Sequence, residues 1–330
     1  LPRTADRSDD GANDGPVRIA RHTGGRTAAV REGPLEPVRE ESMTYKTILV
    51  PLCGSENDPV ALKGAISVAR DFDAHLVGLF VSLDPRDAVP MLGEGMSGAM
   101  VDEIMRAAET ESNNHRAAAR RSFDAAVAEA GFEMREVPGG VEAPSASWRE
   151  VVGRIEDVVP AEGRLADLIV CAHTSIEADT QGYTTMETAL LGSARPVLLV
   201  PKTLPAEIGH TVAVAWNGKT EATRAVAAAL PFLRSADRAH VLTAETSVTE
   251  GATGRRIAQY LAWQGVNPEL TILHPGSEPV GETVTKKAVE LGADLLVMGG
   301  YGHSRMREMI LGGVTRYVLN HAGLPVLMAH

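Results

Sequence analysis

The stretch Asp294-Leu295-Leu296-Val297-Met298-Gly299-Gly300-Tyr301-Gly302, with Ile310-Leu311-Gly312-Gly313-Val314-Thr315 after it, decides how the chain is read. The unbroken apolar run Leu295-Leu296-Val297-Met298 is the mark of a strand covered on both faces, as in a parallel sheet. The glycines behind it open backbone positions that a side chain would block. A second glycine pair then precedes Val314-Thr315-Arg316-Tyr317-Val318-Leu319, which predicts a helix. The first amides of such a helix lack intrahelical acceptors and suit a phosphate or another anion.

Working outward, one order of elements occurs twice. In the first half, residues 47–52 predict a strand, 59–72 a helix with Pro59 in its first turn, and 75–81 a second strand. A long helix over 100–130, a strand over 132–137, an amphipathic helix over 148–159 and a strand over 166–171 follow, then a helix over 185–191 and a strand over 196–201. The second half runs strand 211–216, helix 221–233, strand 240–244, helix 254–265, strand 269–273 and helix 280–291. The opening stretch, a helix over 313–321 and a strand over 325–328 complete it. Strands alternating with helices through short joins are the βαβ signal. The halves also match in detail: Ala166-Asp167-Leu168-Ile169-Val170 with Ala293-Asp294-Leu295-Leu296-Val297, Pro196-Val197-Leu198-Leu199 with Pro325-Val326-Leu327-Met328, and Leu191-Gly192-Ser193 with Leu311-Gly312-Gly313. An internal duplication accounts for this. The fold class is therefore α/β, with an open, parallel, five-stranded Rossmann-like sheet in each half and a ligand crevice at the carboxyl ends of its strands.

The domain reading gives a first domain over residues 43–202, a linker over 203–209 and a second domain over 210–330. Residues 1–42, rich in Gly, Arg, Asp and Glu and without an apolar period, read as a disordered extension. Met43 is then a candidate native start. Of the 330 residues 44% are hydrophobic but only 4% aromatic, so the cores are aliphatic. A formal charge of -11 argues against a general nucleic-acid or acidic-membrane binder. Two cysteines, Cys53 and Cys171, make no disulfide framework and suit a reducing cytoplasm. No apolar run reaches membrane-spanning length.

On the glycine pattern, the second half resembles the universal stress protein family. That family carries glycine, two residues, glycine, nine residues, glycine and then serine or threonine. Here the positions are Gly299, Gly302, Gly312 and Gly313. The resemblance covers residues 45–330 in two copies. It implies a strand order of 3-2-1-4-5, cytoplasmic residence, pairing of domains within the chain, and a homodimer as a further arrangement. One branch of the family binds ATP and another does not, so both readings stand. In the first, Gly299, Gly302, Gly312 and Gly313 form a phosphate nest with Val314, while Asn217 and Gly218 hold the ribose or base side. His303, Ser304 and Thr315 reach the phosphates, and Mg²⁺ rides on phosphate oxygens.

The departures from the family pattern are specific. Asn217 stands where nucleotide binders carry aspartate, keeping an acceptor oxygen without its charge. Gly313 replaces the phosphate-facing hydroxyl residue, a loss of about 1.5–3 kcal/mol for a hydrogen bond to a charged group. In the first half Cys53 holds the place of Asn217, and Ala172-His173-Thr174-Ser175 replaces the glycine turn. Only Gly192-Ser193 remains of the anion-binding end, so that half is expected to bind nucleotide poorly. Tyr301 is the stacking candidate for a base, and Trp216 reads as core. Two further classes remain: a stress-linked interaction module that binds no nucleotide, and a thiol or metal-dependent enzyme using Cys53, Cys171 and His173. No catalytic constellation is present in the sequence, and neither catalytic nor metal-ligating residues are assigned.

Overall fold

The computed structural model describes residues 44–82, 97–138, 143–245, 252–301 and 313–330. Ser42–His330 forms one compact unit. Of the predicted site, Gly302, His303, Ser304 and Gly312 lie outside the described residues.

Eleven described strands form one mixed sheet. The first half supplies β1 (Thr47–Leu52), β2 (His75–Ser82), β3 (Glu133–Met134), β4 (Ser145–Val152), β5 (Leu168–Ala172) and β6 (Val197–Val200). The second supplies β7 (Thr211–Ala215), β8 (Arg238–Ala244), β9 (Glu269–Leu273), β10 (Leu295–Gly299) and β11 (Val326–Ala329). Their order across the sheet is β3-β4-β2-β1-β5-β6-β11-β10-β7-β8-β9. The expectation of two separate five-stranded sheets is thereby corrected. The two Pro-led closing strands meet edge to edge, and β6 pairs antiparallel with β11 through Leu199↔Val326, Leu198↔Leu327 and Val197↔Met328. All six residues are buried. Each strand would otherwise leave a row of backbone groups unpaired at an apolar edge.

One element differs in kind. Residues 148–159, predicted as a helix, divide into β4, a turn at Gly153 and α3 (Ile155–Gly163). Gly153 has φ 158°, a value L side chains seldom adopt. Trp148 stacks on Phe80 at 6.5 Å and meets Phe123 at 5.3 Å, and this anchors β4 beside β2. The helix predicted over 221–233 also divides, into α5 (Thr220–Ala228) and α6 (Leu230–Ser235), with Pro231 opening the second.

The duplication also shows in the backbone's polar accounting. Asp167 accepts from the amides of Lys46 and Thr47 at 2.8 and 3.0 Å. Its counterpart Asp294 accepts from those of Gly209 and Thr211 at 2.8 and 3.1 Å. Each aspartate ties the start of its half's first strand to its neighbour. Asp294 thus belongs to the amino edge of the sheet, at the opposite end of its strand from the glycine turn.

The halves also lock outside the sheet. Tyr45, Phe72 on α1 (Asp58–Phe72) and Phe232 on α6 form an aromatic triad with centroids 5.1–5.4 Å apart. The Tyr45 hydroxyl donates to the Ala228 carbonyl at 2.6 Å. Truncating a buried phenylalanine removes its transfer energy and leaves a cavity. Phe232→Ala is expected to cost about 3–5 kcal/mol in urea denaturation while keeping a single transition. Two transitions, with the first half unmoved, would contradict a shared core.

Candidate functional site

The carboxyl edge of the second half is built around β7 and its neighbour β10, which pair in parallel from Val212↔Leu295 to Ala215↔Met298. From β7 the chain crosses towards β8, and from β10 it crosses the other way to β11. The gap between them is therefore a topological switch point, where open α/β sheets place ligands. Beyond β7 come half-buried Trp216 and exposed Asn217 and Gly218. Gly218 has φ 75°, and Asn217 Oδ1 accepts from the Lys219 amide at 3.0 Å. The side chain of Asn217 thus shapes the turn that begins α5.

Beyond β10, the two glycines have different neighbours. A Cβ at Gly299 would come within 2.5 Å of the Ala222 amide nitrogen, so this position lets the first turn of α5 pack on the strand. A Cβ at Gly300 would sit 3.2 Å from Leu190 of the first half. Tyr301 follows with φ 57°, and its amide donates to Thr315 Oγ1 at 3.4 Å. That contact brings the first turn of α9 (Gly313–His321) to the end of β10. Gly313 is exposed, with no described atom within 4 Å of where a Cβ would stand, Val314 is half-buried and Thr315 is buried. No acidic residue lies in this first turn.

One aromatic assignment changes, and the other, Trp216 packed against the core, gains a second role. Tyr301 is not an exposed stacking platform: it packs into the core between the halves, edge-on to His330 at 6.5 Å. Burial, then the neighbouring Tyr183 and Glu187, push its phenol pKa up. Its hydroxyl is buried without a hydrogen bond of normal geometry. Trp216, read as core, lines a cavity of about 350 Å³ with Gly218, Val226, Arg256, Ile257 and Tyr260. A residue closing a strand gives no sequence sign of which side it faces, and the cavity depends on α7 (Ala252–Trp263).

His173, first considered beside the thiols, instead spans the halves. Its Nε2 hydrogen-bonds the Leu319 carbonyl in the last turn of α9. Burial lowers its pKa and keeps the ring neutral, while its contacts with Leu319 and Ala322 oppose the shift. One end of α9 is thus held by the first half and the other faces the carboxyl edge.

The first half's own edge is closed. A Cβ at Gly54, φ 75°, would run into the His115 carbonyl of α2 (Gly98–Ala130), the 33-residue helix laid over the mouth. Asp179 caps α4 (Thr180–Gly192) by accepting from the Gly182 amide at 2.8 Å, and it also accepts from Asn57 Nδ2 at 3.0 Å. A carboxylate of the chain therefore occupies the helix start. The cavity left there holds about 20 Å³, about one water. Gly192-Ser193 are not an anion-binding end. Gly192 is the last residue of α4 and Ser193 its cap, with Ser193 Oγ donating to the Ala189 carbonyl at 2.6 Å. Gly313, matched with Ser193 by those shared letters, instead opens the described part of α9, so the two stand at opposite ends of their helices. Cys53 and Cys171 are free and buried. Burial pushes the Cys53 thiol up to about 12 and raises that of Cys171 as well, so both stay protonated near neutrality. Among the described residues no group of three or more His, Cys, Asp or Glu is placed to hold a metal ion, and no helix is long and apolar enough to cross a membrane.

Comparison with known proteins agrees with this geometry. The model of the Universal stress protein family matches residues 209–330. The second half belongs to the universal stress protein family. The fold of the whole tandem is similar to a universal stress protein from Archaeoglobus fulgidus DSM 4304, with TM-score 0.59 and 18% identity over 86% of this chain and 95% of that one. A Pseudomonas aeruginosa UCBPP-PA14 protein given the same family name aligns over 86% of this chain and 92% of its own, at 16% identity and TM-score 0.49. No match was found among curated proteins. The two universal stress protein-like halves pair within one chain, sharing the sheet and its cores.

The closed edge makes a titration prediction. Asp58 accepts from the Cys53 and Gly54 amides at 3.1 and 2.8 Å. Burial nevertheless outweighs these bonds and raises its pKa to about 6. The protonated form is the one folding favours, so its stabilisation is full below the unfolded value near 4 and is lost as pH rises through about 6. A carbon-detected NMR titration should place the Asp58 midpoint near 6. A midpoint below 4 would mean that solvent reaches the pocket.

Proposed function

We propose that the second domain binds an adenine nucleotide, ATP with Mg²⁺, at the carboxyl edge between β7 and β10, and that the first domain serves as its fixed partner within a stress-response protein. The observation that carries this reading is that the Asn217-Gly218 turn and the first described turn of α9 both lie at the carboxyl edge beside the switch point of the sheet. The amides of that first described turn, which carries no acidic residue of its own, fit a phosphate group. Asn217 and Gly218 stand on the sugar and base side, and Gly313, Val314 and Thr315 on the phosphate side. Gly299 supports the site indirectly, by letting α5 approach β10. Gly302, His303, Ser304 and Gly312 complete the nest in this reading. Mg²⁺ would be held by phosphate oxygens. The proposal is one of binding and assigns no catalytic step.

The alternative is an interaction module that binds no nucleotide. Its supporting observation is that Gly299 and Gly300 both have packing duties, against α5 and against Leu190, so these glycines need no ligand to explain them. Calorimetric titration of nucleotide-stripped protein with ATP and Mg²⁺ separates the readings. The nucleotide reading expects one site per chain. Gly313→Asp places a carboxylate in the open first turn of α9, where it repels phosphate yet complements the helix dipole by about 0.3–1 kcal/mol. This variant should keep its thermal stability and bind at least about tenfold more weakly, ~1.4 kcal/mol. Unchanged affinity in Gly313→Asp, or two sites per chain, would contradict the placement. No binding at millimolar ATP would favour the interaction module.

A further inference from the structure

The equivalent glycines of the two halves pose a contrast. Gly54 and Gly218 both follow the first strand of their half, and both have φ 75°. Gly54 is covered by α2, whereas the nearest described atom to a Cβ on Gly218 would be Thr253 Cγ2 at 3.8 Å. Beneath Gly218 the cavity of about 350 Å³ runs between α5 and α7, within the range of small-molecule sites. Val226 and Ile257 on its walls belong to the core cluster on one side of the sheet. Val318 and Leu319 of α9 belong to the other. The cavity and the helix start assigned to phosphate therefore lie on opposite faces of the sheet.

We infer that this cavity, which shares Gly218 with the nucleotide site proposed above but lies across the sheet from its phosphate end, is a second ligand site and takes a small aryl carboxylate. The ring of Trp216 and the side chains of Val226 and Ile257 supply an apolar slot. Such a lining favours a flat, apolar body over a sugar or phosphate. Arg256 and exposed Tyr260 stand on the lining as well. Arg256 makes no ion pair with any described residue, although the chain carries a net charge of -11. A guanidinium beside an apolar slot suits a carboxylate on the rim of a ring system, which it can grip through two parallel hydrogen bonds. An uncharged aryl group would use only the slot, and a free anion only the arginine.

The test uses 2-naphthoate and its neutral counterpart 2-naphthamide, titrated calorimetrically into the full chain stripped of nucleotide. The inference expects one saturable naphthoate site, with the amide about threefold to fivefold weaker, the most an exposed ion pair supplies. Arg256→Leu should bind acid and amide alike. Thr223→Trp, at an exposed lining position and so tolerated by the fold, should block the slot and weaken both by at least tenfold. Saturating ATP should leave naphthoate affinity within twofold. Naphthoate binding unchanged in Thr223→Trp, a preference for the acid that survives Arg256→Leu, or no saturable binding at millimolar naphthoate would each overturn the inference. One-for-one displacement by ATP would also overturn it, making the cavity the base seat of the nucleotide site. Because naphthoate is read in nucleotide-free protein, failure of ATP to bind leaves this result intact.

Discussion

The antiparallel contact between β6 and β11 is the constraint on which the rest depends. Each closing strand is apolar throughout, and neither could remain a free edge in water without inviting association. Pairing them consumes both edges and turns two copies of one unit into a single sheet. The remaining inter-half contacts follow. Leu190 reaches Gly300, His173 reaches the last turn of α9, and the Tyr45–Phe72–Phe232 triad closes the opposite face. The first half thereby holds β10's turn on one side and the end of α9 on the other. A half with no open site of its own still fixes the geometry of its neighbour's.

Duplication kept the frame and changed what fills it. Both halves retain an aspartate that binds the start of the first strand, and both retain a left-handed glycine after that strand. The difference lies above the carboxyl edge. In the first half α2 covers the turn, and Asp179 with Asn57 occupies the start of α4. In the second, the corresponding turn is exposed, Gly313 stands exposed in the first described turn of α9 with no described atom near its Cβ position, and the α5–α7 groove remains hollow. A polar group already satisfied by its own chain has little to gain from a ligand. This is the physical reason to assign binding to one half and support to the other.

The fold was legible where strands are buried on both faces. Leu168-Ile169-Val170 and Leu295-Leu296-Val297 admit few readings, and their repetition revealed the duplication. Strand β4 was misread because it lies near the sheet's edge. Its Arg149, Glu150 and Val152 are exposed, and Val151, Val152, Ile155 and Val158 happen to satisfy a helical period. The joining of two sheets into one was not readable, since an apolar strand does not state its partner. At the site, the turn after β7 and the first described turn of α9 lie at one edge of the sheet, as the order of elements implies. The roles of Gly299 and Gly300 in packing, the burial of Tyr301 and the cavity at Trp216 all depend on contacts between elements distant in sequence. The mistaken match of Gly192-Ser193 with Gly312-Gly313 shows the risk of aligning short glycine motifs without the helix ends that give them meaning.

The central claim is an open edge in one half and a closed edge in the other. Hydrogen–deuterium exchange with and without ATP and Mg²⁺ addresses it most directly. The account predicts slowed exchange in peptides spanning residues 215–222 and 313–318, with peptides spanning 53–60 and 172–182 unchanged. Equal protection of both sets, or protection confined to the first half, would contradict it.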